Sequence, residues 1–107
     1  MPGEDIDLTV VTIRLDASEP GLDQLLGVLA KYVVVSRQSP GCRNIDLCHS
    51  QTQPGRFLII EKWESPQAQR DHFDSPQMVE MADSCRGLLV HPPQIDLLEG
   101  LSAHDLK

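Results

Sequence analysis

Between residues 43 and 64 the chain can do little other than form a β-hairpin. Residues 43–50 and 56–64 read as strands, and Gln51-Thr52-Gln53-Pro54-Gly55 between them is a five-residue turn of the kind that joins antiparallel neighbours. Along the second strand Phe57, Ile59, Glu61 and Trp63 point one way, and Leu58, Ile60, Lys62 and Glu64 the other. What lies on either side of the hairpin decides how those faces are covered.

Upstream, the β-branched run from Asp7 to Leu15 predicts another strand. Its faces carry Leu8, Val10, Thr12 and Arg14 on one side and Thr9, Val11, Ile13 and Leu15 on the other, so both are expected to be covered. Ser18-Glu19-Pro20-Gly21 is helix-start chemistry, and Leu22, Leu25, Leu26, Leu29 and Val33 follow at helical spacing. That helix is expected to run to about Gln38 and to stop at Ser39-Pro40-Gly41, because proline disfavours helical geometry in the residue before it. The Val33-Val34-Val35 run favours a strand but continues the leucine stripe.

Downstream, Ser65-Pro66-Gln67 and Ser75-Pro76-Gln77 each set a capping hydroxyl ahead of a proline at the first helical position. The first helix is expected to bury Ala68, His72 and Phe73. The second presents Met78, Ala82, Cys85 and Leu89, flanked by Met81 and Leu88, and is expected to end at Pro92-Pro93. Gln94 to Glu99 makes a last strand before the polar tail, residues 100–107. The order βαβ then βααβ is a split βαβ unit, predicting an α+β, ferredoxin-like domain with a four-stranded antiparallel sheet and its helices on one face. The 107 residues are read as one domain with a core over about 8–99. The second sheet face, expected to carry Val11, Ile13 or their opposite-face equivalents, is a predicted association surface, and an isologous homodimer would cover it.

Charge narrows the partners. Nine Lys and Arg stand against 16 Asp and Glu, a formal −7, and the bases are scattered along the chain, so nucleic acid and anionic membrane surfaces are disfavoured. The longest apolar run, Tyr32-Val33-Val34-Val35, is far below the roughly 20 residues of a membrane span. The acidic start Met1-Pro2-Gly3-Glu4-Asp5 lacks a secretion-signal pattern, and three cysteines fit reduced thiols, so the expected location is the cytoplasm.

No metal site is legible: His49, His72, His91 and His104 are far apart, and Cys42 and Cys48 lack zinc spacing. Dinucleotide and phosphate fingerprints and a GxSxG elbow are missing as well, so nucleotide-dependent redox chemistry and serine hydrolysis have no support in the sequence. Cys85, inside an apolar stripe, reads as a small hydrophobe. His72 titrates near cytosolic pH from a core-facing helix position. It is either a buried histidine bonded to a carbonyl or carboxylate, or a group pointing into a cavity between the sheet and the later helices, where it orients or deprotonates a ligand. Trp63, Met78 and Met81 are core residues or pocket walls. Glu61, between apolar neighbours, reads as a hydrogen-bonded structural carboxylate, since an unpaired buried charge is costly.

Ser39-Pro40-Gly41-Cys42, then Phe57-Leu58-Ile59-Ile60-Glu61-Lys62-Trp63-Glu64-Ser65, then Ala68 and His72 ahead of Ser75-Pro76, together resemble the antibiotic biosynthesis monooxygenase family over about residues 8–99. The resemblance implies a dimeric ferredoxin-like α+β barrel. It also implies oxidation of a small aromatic, phenol or quinol by molecular oxygen without metal or flavin, and on that ground no cofactor is expected. In that reading His72 is the base or hydrogen-bond anchor, and Trp63, Thr12, Met78, Met81 and Cys85 contact substrate in an apolar cavity. A haem-degrading branch of the family uses an Asn, a Trp and a His. Those positions fall near Thr12, on His72 and near Met81, so the trio is not kept. The competing class is a non-catalytic small-ligand-binding or stress-related module on the same dimeric scaffold.

Overall fold

A computed structural model describes residues 8–103 of the chain; the acidic start, Asp7 and His104 lie outside the described residues. The elements are β1 (Thr9–Asp16), α1 (Leu22–Ser36) entered through a short 3-10 turn (Glu19–Gly21), β2 (Cys42–His49), β3 (Arg56–Trp63), α2 (Pro66–Phe73), α3 (Pro76–Ser84) and β4 (Gln94–Glu99). The strands form one sheet in the order β2-β3-β1-β4, antiparallel throughout, which is the ferredoxin-like arrangement.

Register decides which side chains meet the helices. Val11 pairs with Glu61, Ile13 with Ile59 and Leu15 with Phe57, so one face of β1 and β3 forms the floor under α1 and α3. Val11, Ile13, Leu15, Ile45, Phe57, Ile59 and Trp63 pack there with Leu25, Leu29, Val33, Met78 and Met81. Val33 is buried while Val34 and Val35 face solvent, so the valine run stays helical because its first member fills the core. The opposite sheet face carries Val10, Thr12, Arg14, Leu58, Ile60, Lys62 and Leu98. Val11 and Ile13 are thus under the helices, and the uncovered face is set by their alternating neighbours.

Local chemistry fixes the helix starts. Ser65 Oγ accepts from the Ala68 amide at 3.1 Å and Ser75 Oγ from the Met78 amide at 3.3 Å, each ahead of its proline. Helix ends depart from the sequence reading. α1 stops at Ser36, two residues before Gln38. α3 stops at Ser84, well before Pro92-Pro93, and leaves Cys85 as its cap and Ala82 exposed. The reason is tertiary: Gly87 takes φ +79°, Leu89 bridges to Ala17, and the Val90 amide donates to the Asp16 carbonyl at 2.9 Å, drawing the chain onto the end of β1. Phe73 is 46% exposed and Gln69 is buried beside His72 instead. β4 is exposed along its whole length, since no helix extends over Ile95 and Leu97 even though they lie on the helix side of the sheet. Among the described residues no helix is long and apolar enough to cross a membrane.

Candidate active site around His72

Five segments bring polar side chains together between the sheet and the helices. β3 contributes Glu61 and Trp63 from its core-facing side, α1 contributes Tyr32, and α2 contributes His72. The loop after α1 adds Ser39 and the first turn of α3 adds Gln77. Glu61 is only 1% exposed and His72 4%. The Tyr32 hydroxyl donates to Glu61 Oε2 at 2.5 Å and Trp63 Nε1 donates to Glu61 Oε1 at 3.0 Å, so both carboxylate oxygens are satisfied by neutral donors. His72 Nε2 lies 2.8 Å from the Tyr32 hydroxyl, its Nδ1 lies 3.4 Å from Ser39 Oγ, and Gln77 Nε2 donates to Ser39 Oγ at 2.9 Å. The Trp63 indole stacks on the imidazole with ring centres 4.6 Å apart.

Burial sets the protonation states. It holds the His72 imidazole down at about 4, so the ring is neutral at pH 7. Burial also pushes the Glu61 carboxyl up, against the pull of the Tyr32 and Trp63 hydrogen bonds. Burial and the adjacent Glu61 raise the Tyr32 phenol well above its ordinary range. With Glu61 ionised, donor counting assigns the tautomer: the single Tyr32 proton goes to Glu61, so His72 Nε2 must carry the hydrogen that bonds the Tyr32 oxygen. Nδ1 then keeps its lone pair, turned toward Ser39.

His72 and Ser39 both line a cleft of about 330 Å³, whose walls also include Gly41, Glu64, Ser65 and Asp71. Gly41 shapes the wall. It sits at φ +81°, a Cβ there would lie 2.5 Å from the Ala68 methyl, and its carbonyl accepts from the Glu64 amide at 2.9 Å. The Ser39-Pro40-Gly41-Cys42 segment is therefore pinned against α2 and the end of β3.

Hydroxyl and carboxylate side chains from the Ser39 loop, the end of β3 and α2 line the cleft beside His72 together with Pro40, Gly41 and Ala68, so its walls mix polar groups with apolar surface. Further apolar space lies elsewhere. A hollow of about 440 Å³ between α3 and β4 is lined by Met78, Met81, Cys85 and Ile95, and one of about 410 Å³ by Gln69, Phe73, Ile95 and Leu97. Trp63 is fully buried and touches His72 without lining the cleft. Thr12 pairs with Ile60 and Asp96 on the opposite sheet face, separated from His72 by the sheet itself. The Cys85 thiol, 3.7 Å from the Met81 sulfur, is pushed up by burial and packs as a hydrophobe. Sequence reasoning missed Tyr32, Ser39 and Gln77. Tyr32 follows Leu25 and Leu29 at seven and three residues, a signal that marks it as core-facing. Among the described residues no cluster of three His, Cys, Asp or Glu side chains is placed to hold a metal.

The sequence and the fold have relatives among known proteins. The sequence matches the family model for antibiotic biosynthesis monooxygenases over residues 9–84. Rv0793 from Mycobacterium tuberculosis has a similar structure, with a TM-score of 0.84 at 24% identity over 90% of this chain and 97% of that one. PA3566 from Pseudomonas aeruginosa gives 0.79 at 24% identity, over 92% and 97%. A Synechocystis relative, the uncharacterized protein sll1783, is 24% identical across 85% of this chain, which spans only 62% of that protein's length. With most of its length covered by the family model, the chain belongs to the antibiotic biosynthesis monooxygenase family.

Proposed function

We propose that the cleft beside His72 binds a small hydroxyaromatic, a phenol or hydroquinone, and promotes its oxidation by dioxygen without a metal or organic cofactor. The observation that carries this reading is a buried imidazole, neutral at pH 7, whose Nδ1 lies 3.4 Å from Ser39 Oγ in the cleft wall while its Nε2 lies 2.8 Å from the Tyr32 hydroxyl. A substrate hydroxyl that replaces Ser39 at Nδ1 is placed to give up its proton, and the electron-rich anion then passes an electron to oxygen. For a phenol the balance closes without an external reductant. One oxygen atom enters the ring as a quinone carbonyl, the ring C–H and O–H hydrogens leave with the other oxygen as water, and the substrate supplies all the electrons.

The reading extends to a homodimer joined through the uncovered sheet face, and to the cytoplasm. The acidic composition and a cysteine count of only three support that location. A second reading has its own support. The hydroxyls and carboxylates of Ser39, Ser65, Glu64 and Asp71 in the cleft wall can hold the polar groups of a ligand without any chemistry, as expected of a non-catalytic binding module. Oxygen-electrode assays with a panel of phenols, hydroquinones and anthrones, run beside thermal-shift measurements, separate the two. Protein-dependent oxygen uptake supports the oxygenase; protection from heating with no uptake above autoxidation rejects it in favour of the binding module.

A further inference from the structure

We infer that Glu61 is the proton terminus of the site: a proton taken from the bound hydroxyl at His72 Nδ1 is relayed through Nε2–H and the Tyr32 hydroxyl to the Glu61 carboxylate. This rests on the proposed hydroxyaromatic reading, and it assigns Glu61 and Tyr32 as positioning and relay residues that do not touch substrate.

Three observations carry it. First, the contacts form an unbroken line from cleft to core: Ser39 Oγ to Nδ1 at 3.4 Å, Nε2 to the Tyr32 oxygen at 2.8 Å, and the Tyr32 oxygen to Glu61 Oε2 at 2.5 Å. Second, Glu61 is a mid-sheet carboxylate, 1% exposed, and the hydrogen bonds it receives among the described residues come from neutral donors, a phenol and an indole N–H. Such a group gains by taking up a proton. Third, the line is satisfied in both directions. Before transfer, Nε2–H donates to Tyr32 and Tyr32 donates to Glu61. Afterwards, protonated Glu61 donates to the Tyr32 oxygen and Tyr32 donates to Nε2. No heavy atom has to move.

The proton count closes. The substrate O–H bond breaks as Nδ1–H forms, Nε2–H breaks as a new Tyr32 O–H forms, and the old Tyr32 O–H breaks as Glu61 O–H forms. Each bonding pair stays on the atom that releases its proton, and nothing is oxidised or reduced. The imidazole ends as the other neutral tautomer. This matters because a ring that burial holds near 4 is a poor resting place for a phenolic proton, whereas a ring that only changes tautomer need never be cationic. The titratable groups around the line are Glu61 on β3, Tyr32 on α1, Cys42 on β2, and Glu64 and Asp71 at the cleft mouth.

The test reads the imidazole directly. Nitrogen-15 NMR of the wild-type protein at pH 7 should show His72 as the Nε2–H tautomer. In Glu61→Gln the amide oxygen accepts from Trp63 and the amide N–H donates to Tyr32, which turns the Tyr32 proton onto Nε2 and moves the imidazole hydrogen to Nδ1. Tyr32→Phe, which keeps the ring and loses only the hydroxyl, should leave a mixture of tautomers. If Glu61→Gln does not fold, Tyr32→Phe carries the test alone. An Nε2–H tautomer unchanged in the folded variants overturns the relay. The second readout is 4-nitrophenol, whose anion is coloured. Wild type should bind it as the phenolate at a pH where it is neutral in solution, and both variants should bind it with at least a tenfold smaller ionised fraction. Equal ionisation in all three overturns the relay. Failure of the parent reading looks different: the tautomer switches as described, while no phenol or hydroquinone drives oxygen uptake.

Discussion

Between the ordinary imidazole value of 6.5 and the folded value of about 4, only the unfolded chain takes up a proton at His72. The folded protein therefore loses stability as pH falls through that window, by about 3 kcal/mol in all at this one residue. Urea unfolding of wild type and His72→Gln at pH 7 and pH 4 isolates the effect, since the carboxylates are common to both chains. The stability difference between them should shrink by about that amount at the lower pH; a difference that does not change with pH would mean the ring is not held neutral by burial. The sequence makes His72 and Trp63 legible through their motif and Glu61 through its position between apolar neighbours. Tyr32 was hidden, because a tyrosine on a leucine stripe gives no sign that its hydroxyl meets a carboxylate from β3 and an imidazole from α2. Thr12 stands on the sheet face away from His72, a placement the sequence does not reveal, because a strand's two faces cannot be ranked until it is known which one the helices cover.

At the scale of elements, the Ser-Pro helix starts and the hairpin were readable because their causes lie within a few residues. The end of α3 was not, because it is set by bonds to Asp16 and Ala17 at the far end of the chain. Exposure of Phe73 has a similar origin, since it depends on how α2 sits over a sheet whose last strand is uncovered. The sharpest elemental constraint is Gly41, which joins the α1 exit to β3 and α2. Gly41→Ala forces a left-handed alanine and a 2.5 Å approach to Ala68, at a cost of about 2 kcal/mol. A thermal melt of that variant should show the loss together with weaker phenol binding. An unchanged melting temperature would show that the loop is not held as tightly as its contacts indicate.

For the whole molecule, the fold class is legible from element order alone, whereas the make-up of the cleft is not, because its walls come from the Ser39 loop, the segment after β3 and α2, which meet only in three dimensions. Among the described residues no helix lies over the sheet face bearing Leu58, Ile60 and Leu98, and the proposed homodimer would cover it. Sedimentation analysis should find a dimer that Ile60→Lys converts to monomer, with the melting temperature lowered; a wild-type monomer at micromolar concentration contradicts that assembly. The central claim, that a neutral imidazole at the cleft removes the substrate's proton, is tested most directly by oxygen consumption with a hydroquinone that binds both wild type and His72→Gln. The account predicts that the variant binds comparably and turns over on the order of 10²–10⁴ times more slowly, and oxygen consumption undiminished in the variant would contradict it.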